Sequence, residues 1–337
     1  MKITVLGSGG WGTALAILLN NNISDDGIVT IWDHFPETLE NIRKHRENTH
    51  FLPGVKIPEN IALLDDLEEA LSGAELVLSA VPAMGVHEIS DAVARHADHL
   101  QAVISATKGF DIPGKRRVSE LWKDALGDSF KDKYAVLSGP SHAEEVARKR
   151  LTAVTIASGD IKLARSLSEV FSNEYFRCYA SDDVIGVELG GVLKNIMAIG
   201  AGIIDQMELG VNARSAYITR ALYEMIRFGT EEGSRRDTFY GLSGIGDLIV
   251  TCTSDLSRNH YVGRELGKGR SVASIREGMK MVAEGVATTE IMQELAIKKK
   301  IDMPITKVLY GIMYRGLSVK EGIVELMGRS LKDEIFY

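Results

Sequence analysis

The residue with the sharpest chemical claim is Lys194. It is the only cation between Val187 and Ile204, a stretch that is otherwise apolar except for Glu188 and Asn195 and carries four glycines. Each glycine inside a helix costs about 1 kcal/mol relative to alanine, so their number implies close packing against a neighbour. A lysine in such a stretch is costly unless it is paired or used. Burial lowers the pKa of an amine toward neutrality, where it can both give and take a proton. An ion pair with Glu188 is the structural alternative, but an offset of six residues does not place two side chains on one helix face.

Other residues could hold an anion. Ser257-Arg258-Asn259 is a fork of donors suited to a phosphate, although any surface loop can contain those three residues. Ahead of it, Gly241 to Asp247 is a glycine-dense loop ending in a carboxylate, followed by Thr251. Three further segments follow short apolar runs: Val81-Pro82-Ala83-Met84, Thr107-Lys108-Gly109 and Ser138-Gly139-Pro140-Ser141. In a doubly wound sheet, ligands sit outside the carboxyl ends of the strands, so these exits are where Lys108 and the amides near Gly139 would meet one. Capping of a helix by Ser141 is an equally good local account of the last.

The elements that must position these groups begin at the N-terminus. Lys2 to Leu6 is a β-branched apolar run that breaks into Gly7-Ser8-Gly9-Gly10-Trp11-Gly12 and resumes as an Ala/Leu/Ile helix from Thr13. Gly7, Gly9 and Gly12 fit the dinucleotide-binding pattern: a tight turn, a close approach to a pyrophosphate, and a helix packed on a strand. The pyrophosphate would lie on the amides and positive dipole end of that helix. A second strand, Ile28 to Trp32, ends in Asp33. A carboxylate there accepts hydrogen bonds from a ribose 2′-hydroxyl and repels a 2′-phosphate.

Further strands are expected at Leu76 to Ala80, Ala102 to Ala106, Tyr134 to Leu137, Ala153 to Ala157 and Phe176 to Tyr179, alternating with amphipathic helices. That alternation predicts an α/β fold: a Rossmann-like, doubly wound, mostly parallel sheet over residues 1–181. From Val184 onward only helical spacing remains, which predicts an all-α domain over 182–337. Glu47 to Asn60, with Pro53-Gly54 and Pro58, reads as an irregular loop, either functional or surface decoration.

Composition narrows the partners. With 39 Lys and Arg against 46 Asp and Glu the net charge is −7, so no overall basic field exists to hold nucleic acid, and anions must be held locally. Val187 to Ile204 is long and apolar enough to raise the question of a membrane, but its charges, its glycines and its lack of basic flanks favour a buried helix. Cys178 and Cys252 lie far apart and suggest neither a disulfide framework nor a metal site, as suits a reducing cytoplasm.

Taken together, these stretches resemble the bacterial soluble NAD(P)-dependent glycerol-3-phosphate dehydrogenases over the whole chain. The carrying motifs are Gly7 to Ala16, Thr107-Lys108-Gly109, Leu137 to Ser141, Glu188 to Ile196, Gly244 to Leu248, Ser257-Arg258-Asn259 and Glu284-Gly285. The resemblance implies reversible reduction of dihydroxyacetone phosphate to sn-glycerol 3-phosphate with NAD(H) or NADP(H), feeding glycerophospholipid synthesis, by a cytoplasmic homodimer without a metal. It also implies roles. Lys194 is the proton donor and acceptor, grouped with Asn195 and Thr251 and supported by Asp247. Lys108, Gly139 and Ser141 line substrate and nicotinamide, and Ser257, Arg258 and Asn259 hold the substrate phosphate. Gly10, Trp11, His34, Val282 and Glu284 contact the cofactor, with Lys108, Ser141 and Arg258 shared between the two ligands. Asp33 sets this chain apart from the many relatives that carry a small residue there, and favours use of NADH. Another hydroxyacid or ketoacid reductase with a helix lysine would share the glycine fingerprint and Lys194 but not the phosphate fork Ser257-Arg258-Asn259. A nucleotide-sensing module would have no use for Lys194.

Overall fold

In the computed structural model, which describes residues 1–337 apart from 25, 280–282, 332 and 335–337, the N-terminal run forms the central strand β1 (Lys2–Leu6). It is followed by β2 (Ile28–Trp32), β3 (Ala62–Leu64), β4 (Leu76–Ser79), β5 (Ala102–Ser105), β6 (Phe110–Asp111), β7 (Arg116–Arg117), β8 (Tyr134–Ser138), β9 (Thr152–Ser158) and β10 (Phe176–Ser181). Eight strands make one sheet in the order β10-β9-β8-β5-β4-β1-β2-β3, and β6 and β7 form a separate antiparallel pair. All neighbours in the large sheet are parallel except β8 and β9. The mostly parallel sheet expected from the sequence is thus present.

Strands buried on both faces are written as near-continuous apolar runs, and that is why they were legible. Ile3, Val5, Ile31, Leu78, Ile104 and Leu137 point to one face, where they meet Leu15, Leu18 and Leu19 of α1 (Gly10–Asn22) and Ile42 of α2 (Pro36–His45). The opposite face, with Leu6, Val77, Val103 and Val136, takes in Ala70 and Leu71 of α3 (Leu67–Leu71), Ile89 and Val93 of α4 (Val86–Ala94), and Trp122 of α5 (Val118–Leu126). Two short helices, α6 (Phe130–Lys133) and α7 (Ala143–Ala147), precede α8 (Ile161–Phe171), whose Leu167 and Phe171 return to the first face. The helices at Asp247–Thr253 and Arg258–Gly267 were not foreseen, and within residues 1–181 neither were the short elements β3, β6, β7, α3, α6 and α7. Two to five residues are too few to show a period.

After β10 every element among the described residues is helical: α9 (Val184–Gln206), α10 (Gly210–Glu231), two single-turn helices at Arg236–Tyr240 and Leu242–Gly246, α11 (Asp247–Thr253), α12 (Arg258–Gly267), α13 (Val272–Glu277), α14 (Glu284–Lys299), α15 (Pro304–Tyr314) and α16 (Val319–Met327). The chain divides into two compact units. The first comprises Met1–Val192 and Glu232–Asp247, the second Leu193–Glu231 and Leu248–Tyr337.

The α9 helix is buried over 94% of its apolar stretch, and its glycines mark four close approaches. In the first unit, a β-carbon on Gly190 would lie 2.3 Å from the Ser243 carbonyl oxygen, and one on Gly191 would lie 2.4 Å from Ser138 Oγ. In the second, Gly200 receives the Tyr217 ring, whose hydroxyl donates to the Met197 carbonyl at 2.9 Å. Gly202 faces Gly263 of α12, with 3.0 Å between the Gly263 Cα and the place a β-carbon would take. Glu188, near the start of α9, accepts from the backbone N–H of Ser119 at 2.8 Å and from its hydroxyl, with Arg117 3.6 Å away. This carboxylate is therefore committed to the N-terminus of α5.

A second buried carboxylate ties helices in the second unit. Glu224 of α10 accepts from the N–H groups of Ile305 and Thr306, each at 2.8 Å, and from the Thr306 hydroxyl at 2.6 Å, closing the start of α15. Burial pushes its carboxyl up from 4.5 to about 7, against the pull of those three donors. A carboxyl raised on folding favours the fold most below its unfolded value, and that contribution is lost as pH rises through the folded one. The stability difference between the natural protein and Glu224→Gln should therefore shrink between about pH 5 and pH 8, by at most about 1.4 kcal/mol per pH unit. Denaturant unfolding of both proteins across that range checks the sign.

Candidate active site

At the carboxyl edge of the sheet, the turn after β1 is made by Gly7, whose φ of +103° is closed to most other residues. A β-carbon on Gly12 would strike the Gly7 carbonyl oxygen at 2.0 Å, so this glycine lets α1 sit down on the end of β1. Gly9 is the N-cap of α1 and offers no side chain to it, and the first turn contains no acidic residue. Its missing β-carbon would meet nothing within 4 Å. The first amides of α1 thus lack a side-chain cap from Gly9 beside open space, which is the environment a pyrophosphate needs. The residues present fit a dinucleotide.

Side chains from two other segments converge on the same loop. Asp33, just after β2, accepts from both the N–H and the hydroxyl of Ser8 at 2.6 Å through one oxygen, and from the Phe35 N–H at 2.9 Å through the other. His34 beside it is exposed and packs edge-on to Phe35, 5.1 Å between ring centroids. Asn48 donates to the Ser8 carbonyl at 2.6 Å and to Thr13 Oγ1 at 3.0 Å. Trp11 is half-buried, and Gly10 lies under the Phe51 carbonyl, 2.6 Å from where a β-carbon would be. Asn48 and Phe51 belong to the irregular 47–60 segment, and no residue type or spacing there announced them.

Further along the edge, Thr107 donates to the Val81 carbonyl at 2.8 Å, linking the exits of β4 and β5. Lys108 Nζ sits 2.9 Å from Asp247 Oδ2 and 3.2 Å from the Gly139 carbonyl. Asp247 is 1% exposed and Lys108 17%, so the pair is nearly dry and its ammonium is held at a fixed place. Gly139 adopts φ +149° with Val154 Cα 2.9 Å from any β-carbon, and Ser141 turns its hydroxyl onto the Gly139 carbonyl at 3.0 Å. The first unit therefore gathers Gly7, Gly9, Gly10, Trp11, Gly12, Asp33, His34, Lys108, Gly139, Ser141 and Asp247 along the carboxyl edge.

In the second unit Lys194 is 8% exposed, and its Nζ donates to Thr251 Oγ1 at 2.8 Å. Next to it, Asn195 Oδ1 accepts from Asn259 Nδ2 at 3.0 Å, and Asn259 Oδ1 accepts the Gly285 N–H at 2.9 Å. Ser257 caps α12, accepting from the His260 N–H at 3.2 Å, and leaves Arg258 exposed at the first helical position. A cation on the first turn of a ten-residue helix combines a guanidinium fork with free amides, both of which suit a phosphate. His260 ties the same turn to α9 through Asp205, 2.9 Å away, a link that sequence spacing alone did not suggest. Glu284 opens α14 and is half-buried, while Val282 lies outside the described residues.

Comparison with known proteins places the whole chain in one family. Residues 2–164 match the family described as the NAD-dependent glycerol-3-phosphate dehydrogenase N-terminus, and residues 183–324 the corresponding C-terminus. A glycerol-3-phosphate dehydrogenase [NAD(P)+] of Citrifermentans bemidjiense is 44% identical, over 99% of this chain and 98% of its own. One from Bacillus cytotoxicus is also 44% identical, over 99% and 97%. The crystal structure of glycerol-3-phosphate dehydrogenase from Coxiella burnetii superposes with a TM-score of 0.91 at 36% identity, covering 97% of this chain and 99% of that one. The chain belongs to the NAD-dependent glycerol-3-phosphate dehydrogenase family.

Proposed function

We propose that this protein reversibly reduces dihydroxyacetone phosphate to sn-glycerol 3-phosphate using NAD(H) or NADP(H). The observation that carries the reading is Lys194, an ammonium 8% exposed in an apolar helix and held by the Thr251 hydroxyl. Reduction of a ketone adds a hydride to carbon and a proton to oxygen. A bound nicotinamide supplies the hydride. Lys194 Nζ gives the proton to the carbonyl oxygen, stabilises the charge that develops there, and takes the proton back in the oxidation direction. Thr251 accepts one N–H of the ammonium and so fixes the direction of the others, and Asn195 extends this polar group along α9.

Residues 1–181 would carry the nucleotide and 182–337 most of the substrate. Arg258, with Ser257 and Asn259 at the start of α12, binds the substrate phosphate. Because the Asn259 side chain is already bonded to Asn195 and Gly285, its contribution is to brace that turn. Lys108, Gly139 and Ser141 line the nicotinamide and the substrate, with Asp247 anchoring Lys108. Asp33 presents a carboxylate to the adenosine ribose, which favours NADH over NADPH. Two cysteines far apart in sequence, Cys178 and Cys252, suit the reducing cytoplasm. Assembly as a homodimer and supply of glycerophospholipid synthesis rest on the resemblance alone.

Absorbance of NADH and NADPH followed with dihydroxyacetone phosphate tests the reading directly. NADH should serve at least as well as NADPH, and a tenfold preference for NADPH, about 1.4 kcal/mol, would show that Asp33 does not govern the choice. Lys194→Met preserves length and apolar volume, so it should fold and bind NADH while kcat drops by about 10² to 10⁴. A kcat within about threefold of the natural enzyme would remove Lys194 from proton transfer. Arg258→Ala should cripple turnover of dihydroxyacetone phosphate but affect unphosphorylated dihydroxyacetone much less. Equal losses on both would assign the arginine to the fold or the cofactor.

A further inference from the structure

The peptide between Ser8 and Gly9 is pinned from one side. Its carbonyl oxygen accepts from Asn48 Nδ2 at 2.6 Å and from Thr13 Oγ1 at 3.1 Å. A trans peptide is planar, with its oxygen and its hydrogen pointing in opposite directions. Drawing the Ser8 oxygen toward Asn48 therefore turns the Gly9 N–H the other way, and the Gly9 Cα borders open space with nothing within 4 Å of a β-carbon. The preceding peptide is fixed as well, because the Ser8 N–H is bound to Asp33. Both planes flanking Ser8 are thus set by side chains outside the glycine motif.

Asn48 is built for this task. Its side chain is fully buried although it lies in an irregular segment. The Phe51 N–H donates to Asn48 Oδ1 at 3.1 Å, which identifies the other end of the amide as the donor facing Ser8. The Leu52 N–H returns to the Asn48 carbonyl at 2.9 Å, and the segment around it is closed by Gly54 N–H on Glu47 at 2.9 Å and Ile57 N–H on the Arg46 carbonyl at 2.9 Å. Thr13 joins the two halves, donating to the Ser8 carbonyl and accepting from Asn48.

We infer that Asn48 is a positioning residue for cofactor binding: by holding the Ser8 carbonyl it aims the Gly9 N–H at the pyrophosphate of the dinucleotide. This rests on the reading that the first unit binds a nicotinamide dinucleotide. The 47–60 segment is then part of the anion site, acting through one amide that never touches the ligand.

Asn48→Leu has similar size, adds no charge and has no donor. The dissociation constant for NADH, titrated by fluorescence without substrate, should rise about tenfold or more, because the Ser8 carbonyl loses a buried donor and its peptide is free to turn. At saturating NADH, kcat and KM for dihydroxyacetone phosphate should stay within about twofold of the natural enzyme. A folded Asn48→Leu that binds NADH within about twofold of the natural protein overturns the inference. So does a variant that loses kcat with KM for NADH unchanged, which is the mark of a partly unfolded population. If Asn48→Leu does not fold, Thr13→Val decides, since it removes the second donor to Ser8 together with an acceptor that orients the Asn48 amide. A rise of about threefold or more in its NADH dissociation constant supports the pinned peptide, and no change refutes it. A natural protein that binds neither NADH nor NADPH would instead sink the proposed function, and the role of Asn48 with it.

Discussion

Backbone-to-backbone contact along α9 is the constraint on which the placement of Lys194 and Asn195 depends. Helices usually meet through side chains at 8–10 Å between axes. At Gly202 and Gly263 there is no room for any side chain: a β-carbon on Gly263 would sit 1.9 Å from the Ile199 carbonyl oxygen. Such closeness leaves α9 and α12 no freedom to slide or roll, and the Asn195–Asn259 bond lies along the same contact. Lys194 therefore projects from a helix that Gly200 and Gly202 hold close to its neighbours in the second unit. Gly285 extends the arrangement, since a β-carbon there would meet the Asn195 carbonyl at 2.5 Å.

Electrostatics follow a different logic from packing. A chain of net charge −7 that handles anions cannot rely on its overall field, so it concentrates positive potential in a few places. One is the start of α1, where amides and dipole act without a side-chain cap. Another is Lys108, whose partner Asp247 is nearly dry and so holds the ammonium firmly. The third is Arg258, exposed above a capped helix start. The first two belong to the sheet edge and arise from strand exits, and the third arises from a helix start in the all-α unit.

Much of this is legible in the amino-acid sequence. Buried parallel strands announce themselves as apolar runs, Gly7, Gly9 and Gly12 by their spacing after a strand, and Lys194 by being a charge where none belongs. The glycines of α9 correctly signalled close approach but not against what, because the partners Ser243, Tyr217 and Gly263 are brought up by tertiary structure. Elements of two to five residues left no periodic trace. Asn48 could not be found because its type is ordinary for a loop and its burial comes only from the way residues 47–60 fold back. The commitment of Asn259 to Asn195 and Gly285 was hidden for the same reason: a one-dimensional motif shows which donors are adjacent, not which are already engaged.

The first unit is not contiguous in sequence, and this bears on how the protein is made. Its last pieces, including Ser243 under Gly190 and Asp247 on Lys108, come after residues 193–231 of the second unit. On the ribosome, at about 5–20 residues per second, the sheet can assemble seconds before its carboxyl edge is complete. During that interval Lys108 waits without its carboxylate, and Gly190 without the carbonyl that covers it. The nascent chain thus acquires its nucleotide-binding scaffold early and the finished edge late, so the emergence of residue 247 marks the moment at which the first unit has all its parts.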